Sequence, residues 1–238
     1  LNGSTLSGGN GNLLEVKDGF TATLRVDNSQ LLGNVIVDAG STAHIGLQNL
    51  AVLTGRLENV SSLDMGNQSL WIMTGNSQAG ALNLNGAMIK FGGSDVFYQL
   101  DLTSLTGNGT FVMGTDFSQG LTDFLNITGT ASGHHQLLVA SSGAEPMSAS
   151  EVRIVHTGGG DAQFSLVGGV VDAGAWSYGL KQDGNGRFLD PASRVISTGP
   201  RPGSAPPPSR PARPCCPPGP GPSRPRALPP RGWPCPPS

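Results

Sequence analysis

Charged residues are scarce in this chain. Only 13% of its 238 residues are Asp, Glu, Lys or Arg, whereas 36 are glycine. Helical globular proteins carry far more charge on their outer faces, so the composition argues against a helical domain. A low-charge sequence rich in Gly, Asn, Ser and Thr is typical of short strands joined by tight turns.

Cysteines and long apolar runs are missing as well. Residues 1–199 contain no cysteine, which fits export through an oxidising compartment where stray disulfides would form. No apolar run approaches the length of a membrane-spanning helix. The chain opens at Leu1 without a basic segment followed by an apolar one, so we expect no signal peptide.

Proline is nearly absent until the end of the chain, where it dominates. Residues 200–238 hold seventeen of the nineteen prolines and a net charge of +6, whereas residues 1–199 carry −8. We therefore predict that residues 191–238 form a disordered Pro-rich tail. Its Pro, Arg, Gly and Ala are encoded by GC-rich codons, and we interpret it as the product of a shifted reading frame. A polyproline ligand and a basic arm are the functional alternatives. We predict no function for its three cysteines, Cys215, Cys216 and Cys235.

Short apolar runs alternate with Gly and Asn turns from Leu13 to Leu189. Patterns such as Leu82-x-Leu84 point alternate side chains to one buried face, and no 3.6-residue period is sustained. A β-sandwich and a solenoid both remain open on this pattern, although the brevity of the runs favours the solenoid. At about twenty residues per coil, residues 1–190 would form about nine coils, roughly 45 Å long.

Several motifs in the second half of the chain resemble a known family. They are Leu105–Met113, Asp123–Gly133, Leu137–Val139, Val155–Ala162, Asp172–Tyr178 and Lys181–Asn185. Their order and spacing resemble the pertactin-like passengers of bacterial autotransporters, in the region just before the translocator barrel. The sequence differs where the family usually has Trp or Tyr beside its last aromatic residue, because Gly186 and Arg187 precede Phe188 here.

The resemblance implies an all-β fold, a right-handed parallel β-helix. Residues 1–96 are then expected to be β-helix coils of the passenger, and residues 97–190 the carboxy-terminal autochaperone region that folds first. Aromatic side chains bury the most area per residue, so they are the candidate core and folding residues. These are Trp71, Phe97, Tyr98, Phe111, Phe124, Phe164, Trp176, Tyr178 and Phe188.

Few residues suggest chemistry. Asp116 and Asp123 suit a glycosidase pair, but aspartates beside Gly, Ser and Thr are more typical of turn caps. Adjacent strand residues face opposite ways, so His134 and His135 cannot readily share a metal ion, and we place both in a solvated turn. We predict no catalytic, cofactor-binding or metal-binding residue and no enzymatic activity.

The predicted function is the structural stem and folding nucleus of an adhesin-like surface virulence factor. A β-helical polysaccharide-active enzyme is the alternative. We expect a monomer with no nucleic-acid partner and no cofactor, acting on a host receptor or matrix that the sequence does not identify. The resemblance implies display at the cell surface or outer membrane through a translocator β-barrel, and we expect this chain to lack both the barrel and the entry signal.

Overall fold

The computed structural model describes residues 1–192, and within that range every regular element is a β-strand. The predicted tail lies outside the described residues from residue 193 onward. Eighteen strands form one sheet. They are β1 (Thr5–Val16), β2 (Thr21–Asp27), β3 (Gln30–Val37), β4 (Thr42–Gln48), β5 (Val52–Thr54), β6 (Leu57–Glu58), β7 (Val60–Gly66), β8 (Leu70–Ile72), β9 (Ser77–Lys90), β10 (Gln99–Asp116), β11 (Leu121–Thr122), β12 (Phe124–Ala131), β13 (His134–Ser142), β14 (Val152–Gly160), β15 (Gln163–Leu166), β16 (Val171–Ala173), β17 (Trp176–Asp183) and β18 (Gly186–Ala192).

The strands stack in parallel register as a β-solenoid of about six turns, which confirms the predicted fold class. The prediction of about nine coils is wrong. Val52 pairs with Leu70, eighteen residues later, but Leu125 pairs with Val155, thirty residues later. The turns lengthen because loops such as residues 92–98 and 143–151 are inserted between stacked strands.

Asparagines stack at one corner of the solenoid. Asn49 donates its side-chain amide to Asp27 at 2.9 Å, and Asn67 donates to Asn49 at 2.9 Å. Both asparagines have positive φ, 52° and 48°, a conformation that Asn tolerates better than most residues. The repeated Asn and Gly of the sequence therefore set the corners, and the ladder holds successive coils in register.

Inward-facing side chains form one continuous apolar core along the solenoid. The alternation is visible in β4, where Ala43, Ile45 and Leu47 are buried between exposed or half-buried neighbours. Trp71 is fully buried and donates its indole N–H to the carbonyl of Gly55 at 2.9 Å, so its polar atom is satisfied inside the core.

The carboxyl end of the predicted region 97–190 departs from the parallel pattern expected of a β-helix. Strand β17 pairs antiparallel with both β16 and β18, and β18 pairs antiparallel with β14. Short turns, such as Gly184 at φ +51°, reverse the chain there instead of carrying it around another coil. The antiparallel strands cover the last parallel coil.

Candidate functional site at the carboxy-terminal end of the solenoid

Strand β10 ends in a short hairpin with β11 that is built around Asp116. One carboxylate oxygen of Asp116 accepts hydrogen bonds from the backbone N–H of Ser118 at 2.9 Å and of Gln119 at 3.2 Å, and from the Ser118 hydroxyl at 2.6 Å. Its other oxygen accepts from the Gln119 side-chain amide at 2.7 Å. These bonds, the Ser118 side chain first, lower the pKa of Asp116. Asp116 is therefore a turn cap, as the sequence suggested.

The buried carboxylate of Asp123, just before β12, links the loop that precedes β10 and the end of β10 by hydrogen bonds. The carboxylate accepts from the backbone N–H of Tyr98 at 2.6 Å and of Gly114 at 2.7 Å. Burial raises the pKa of Asp123 to about 6, and the two backbone donors oppose this shift. The side chain thus fixes the loop before β10 to the end of the same strand.

Phe117 and Tyr178 form a stacked pair between the β10–β11 hairpin and the antiparallel strand β17. Their ring centroids are 3.8 Å apart with planes inclined by 20°, and both side chains are buried. Of the two candidate core residues of β17, Tyr178 packs on Phe117, whereas Trp176 is only partly buried against the core.

His135 is a core residue, which corrects its placement in a solvated turn. It is 1% exposed, and its ring lies between those of Phe111 and Phe164, with centroid distances of 6.0 and 5.4 Å. Nε2 lies 3.1 Å from the carbonyl oxygen of Ser132. Burial lowers the pKa of His135 and favours the neutral ring. Its neighbour His134 is exposed, so the predicted opposite orientation of the two is confirmed.

Two arginines join the aromatic residues into clusters. Arg187 is buried, lies 5.4 Å from the centroid of the Phe164 ring and donates to the carbonyl of Ala162 at 3.3 Å. Arg153 lies 5.8 Å from the ring of Phe124 and 6.0 Å from that of Phe188. Both guanidinium groups thus lie within cation–π distance of aromatic rings.

Polar contacts tie the last loops to this end. Glu145 accepts from the backbone N–H of Ala175 at 2.8 Å, and Lys181 pairs with Glu151 at 2.5 Å. Both residues of the ion pair are exposed, so each contact contributes little alone. Together they hold residues 143–151 against β16 and β17.

The predicted aromatic residues are distributed unevenly. Trp71, Phe111 and Tyr178 are fully buried, while the other six are partly buried: Phe97, Tyr98, Phe124, Phe164, Trp176 and Phe188. Apart from Trp71, all lie in the carboxy-terminal half of the described chain. The sequence-based list missed His135, Arg153 and Arg187, because polar residues give no periodic apolar signal.

Residues 1–192 show no cluster of side chains that indicates catalytic chemistry. Within residues 1–192, no group of three or more His, Cys, Asp or Glu side chains could hold a metal ion. Over the same range, no helix has the length and apolar character needed to cross a membrane. Asp116 and Asp123 both use their carboxylate oxygens to accept bonds from their own hairpin and its neighbours.

Comparisons with known proteins agree with this geometry. The pertactin family model matches residues 79–189. The chain is 37% identical over 179 residues to the autotransporter adhesin/invasin TibA of Escherichia coli O78:H11, covering 70% of this chain and 18% of TibA. It is 37% identical over 151 residues to the pertactin autotransporter of Bordetella bronchiseptica, covering 60% of this chain and 16% of that protein.

A solved structure supports the fold independently. The Haemophilus influenzae Hap adhesin superposes with a TM-score of 0.53 and 21% identity, covering 79% of this chain and 24% of that one. The chain spans less than a fifth of the length of the two relatives described above. Residues 79–189, which include every aromatic cluster described above, form the pertactin domain, and the chain belongs to the pertactin-like passengers of autotransporters.

Proposed function

We propose that residues 1–192 are the structural stem of an adhesin-like autotransporter passenger, and that residues 97–190 are the nucleus from which the stem folds. Residues 1–96 are the coils that add to this nucleus. The observation that carries the proposal is the closed carboxyl end, where β18 runs antiparallel to β14. A coil of a solenoid cannot bury its own faces, so growth starts where one face is already covered.

The nucleus is also held by contacts that cross between distant segments. The Phe117–Tyr178 stack, the Asp123 bonds and the Arg187–Phe164 contact each join different strands or loops. An aromatic stack contributes about 0.5–1.5 kcal/mol beyond its buried area, and a desolvated cation–π pair about 2 kcal/mol. Upstream coils depend mainly on parallel stacking and the Asn ladder, and so they gain stability from a neighbour already in place.

A matched pair of core truncations tests the order of folding. Leu137→Ala in β13 and Leu63→Ala in β7 each remove a side chain that is fully buried in the solenoid. Either change should cost about 2–5 kcal/mol. We expect Leu137→Ala to slow refolding of the full chain, and Leu63→Ala to speed unfolding with little effect on the refolding rate. The reverse assignment in stopped-flow refolding would overturn the proposed nucleus.

We further propose display of this stem at the cell surface through a translocator β-barrel, as autotransporter relatives imply. Residues 1–192 can be placed between a signal peptide and the barrel of such a relative. Surface labelling of intact cells should then detect the passenger. Retention of the folded passenger in the periplasm would contradict surface display and leave the folding proposal standing.

We infer that the chain has no hydrolytic activity. Asp123 is clamped by two backbone donors, and Asp116 by four bonds within its own hairpin, so neither is free to act as acid or base. A screen of the full chain against polysaccharides should release no reducing ends. Hydrolysis that is lost in Asp123→Asn or Asp116→Asn would revive the glycosidase alternative.

A further inference from the structure

A groove runs along one face of the solenoid in the described part of the chain. Its volume is about 800 Å³, and it crosses five strands that are neighbours in register. One row of outward side chains borders it, with Leu70 paired to Met88, Met88 to Thr110, Thr110 to Gln136, and Gln136 to Ser165. A second row, at the corner, consists of Gln68, Gly86, Asn108 and His134. We call this feature the neutral groove.

The neutral groove lacks charge in a strongly acidic domain. None of its thirteen lining residues is Asp, Glu, Lys or Arg. The polar groups that it presents are side-chain amides, hydroxyls and the imidazole of His134. Met88, 39% exposed, supplies apolar surface. An ionic ligand would lose its hydration there without meeting an opposite charge. The lining therefore favours an uncharged ligand rich in hydroxyl or amide groups.

The groove repeats at the spacing of the strands. Parallel neighbours lie about 4.8 Å apart, so the outward side chains of the first row recur at that interval over about 19 Å. The row is apolar at Leu70 and Met88 and polar at Thr110, Gln136 and Ser165. This repeat is close to the length of one pyranose ring in an extended oligosaccharide. Gly86 leaves open space in the lining, because nothing lies within 4 Å of where a Cβ would stand.

A peptide fits this surface less well. Peptides that bind β-sheets usually add a strand to an open edge and exchange main-chain hydrogen bonds. Four of the five strands that form the groove floor, β8, β9, β10 and β13, are already paired on both sides within the stack. Only β15, at the end of the groove, has no second strand among the described residues. Along the other four strands, side chains alone are left to make contacts. Hydrogen bonds from amides and hydroxyls, together with apolar contact to C–H faces, are the interactions by which sugars are bound.

We propose that the neutral groove binds an uncharged oligosaccharide lying along the solenoid axis. This site would supply the receptor class for the adhesin-like function proposed above, on which it rests. Residues Met88, Thr110, Gln136 and His134 would contact the sugar. The folding order proposed for the stem does not depend on the groove, so the two can fail separately.

The test uses the full chain and a panel of hexasaccharides of glucose, mannose, galactose and N-acetylglucosamine. We expect at least one to shift the imidazole NMR resonances of His134 while leaving those of His44, which lies outside the groove, unchanged. Gln136→Ala should weaken binding by about five-fold, the loss expected for one neutral hydrogen bond. Gln78→Ala, an exposed glutamine outside the groove, is the matched control and should bind normally.

A second matched pair introduces charge. Met88→Glu places a carboxylate in the groove, whereas Leu32→Glu places one at an exposed position on the same face outside it. Only Met88→Glu should abolish binding, with unchanged thermal unfolding in both variants. The proposal is overturned if no hexasaccharide in the panel moves His134. It is equally overturned if an anionic galacturonate hexamer or an uncharged peptide binds the groove more tightly, or if Gln136→Ala and Gln78→Ala behave alike.

Discussion

The ring of Phe117 stacks on that of Tyr178, with centroids 3.8 Å apart. Phe117 follows the longest strand of the parallel stack, and Tyr178 lies in the antiparallel strand β17. The pair therefore joins the solenoid to the strands that close its carboxyl end. Loss of this contact should loosen the closing strands before it affects any upstream coil.

Tyr178 offers a paired test of that contact. Tyr178→Ala removes a fully buried ring and should lower the free energy of unfolding by about 3–5 kcal/mol. Tyr178→Phe keeps the ring and removes a buried hydroxyl that has no hydrogen-bond partner among the described residues. It should raise the free energy of unfolding by about 1 kcal/mol. Denaturant unfolding measures both, and a destabilised Tyr178→Phe would reveal a partner for the hydroxyl.

Asp123 should give the stem a distinctive pH dependence. Its pKa of about 6 in the folded state lies above the value of about 4 for an unfolded aspartate. The protonated form is thus favoured by folding, and this stabilising contribution is complete below about pH 4 and lost as the pH rises through 6. The stability of the wild type relative to Asp123→Asn should fall from about pH 4 and level off above about pH 6. A difference that grows with pH would contradict the assignment.

Alanine substitutions at Gly133 and Gly168 distinguish the cost of close packing from the cost of backbone strain. Both have positive φ, 97° and 83°. A Cβ on Gly133 would lie 1.9 Å from the carbonyl oxygen of Gly107 in the coil below, whereas nothing lies within 4 Å of a Cβ on Gly168. Gly168→Ala should cost about 1–2 kcal/mol, the strain of the backbone alone. Gly133→Ala should cost clearly more, because two coils must move apart. Equal losses in thermal unfolding would mean that the coils are not packed this closely.

Much of the fold follows from the sequence. Two local signals specify stacked short strands. Apolar residues alternate within a strand, as at Leu82 and Leu84, and Gly and Asn mark the corners between strands. The number of coils could not be predicted from the sequence. Loops such as residues 92–98 resemble tight turns in the sequence, but they lengthen individual coils. The antiparallel end was also missed. A strand's direction depends on its partner, and the Gly184 turn that reverses the chain has the same residue types as the corners of the coils.

The aromatic residues of the candidate site were predictable, but their partners were not. Phe164 and Tyr178 are conspicuous in a chain with few aromatic residues. His135 and Arg187 look like surface residues by type, yet both are buried against aromatic rings. Coil register places His135, since it pairs with Phe164 in the parallel ladder of β13 and β15. Arg187 is placed by the antiparallel pairing of β18 with β14.

Native-state hydrogen exchange tests most directly the claim that the carboxy-terminal half nucleates and stabilises the stem. Amides of β13 and β14 should exchange only through global unfolding, because the closing strands and aromatic clusters protect them. Amides of β3 and β4 should exchange through partial opening at a lower free energy, with the carboxyl end still folded. Equal protection of the two regions, or stronger protection of β3 and β4, would contradict the account.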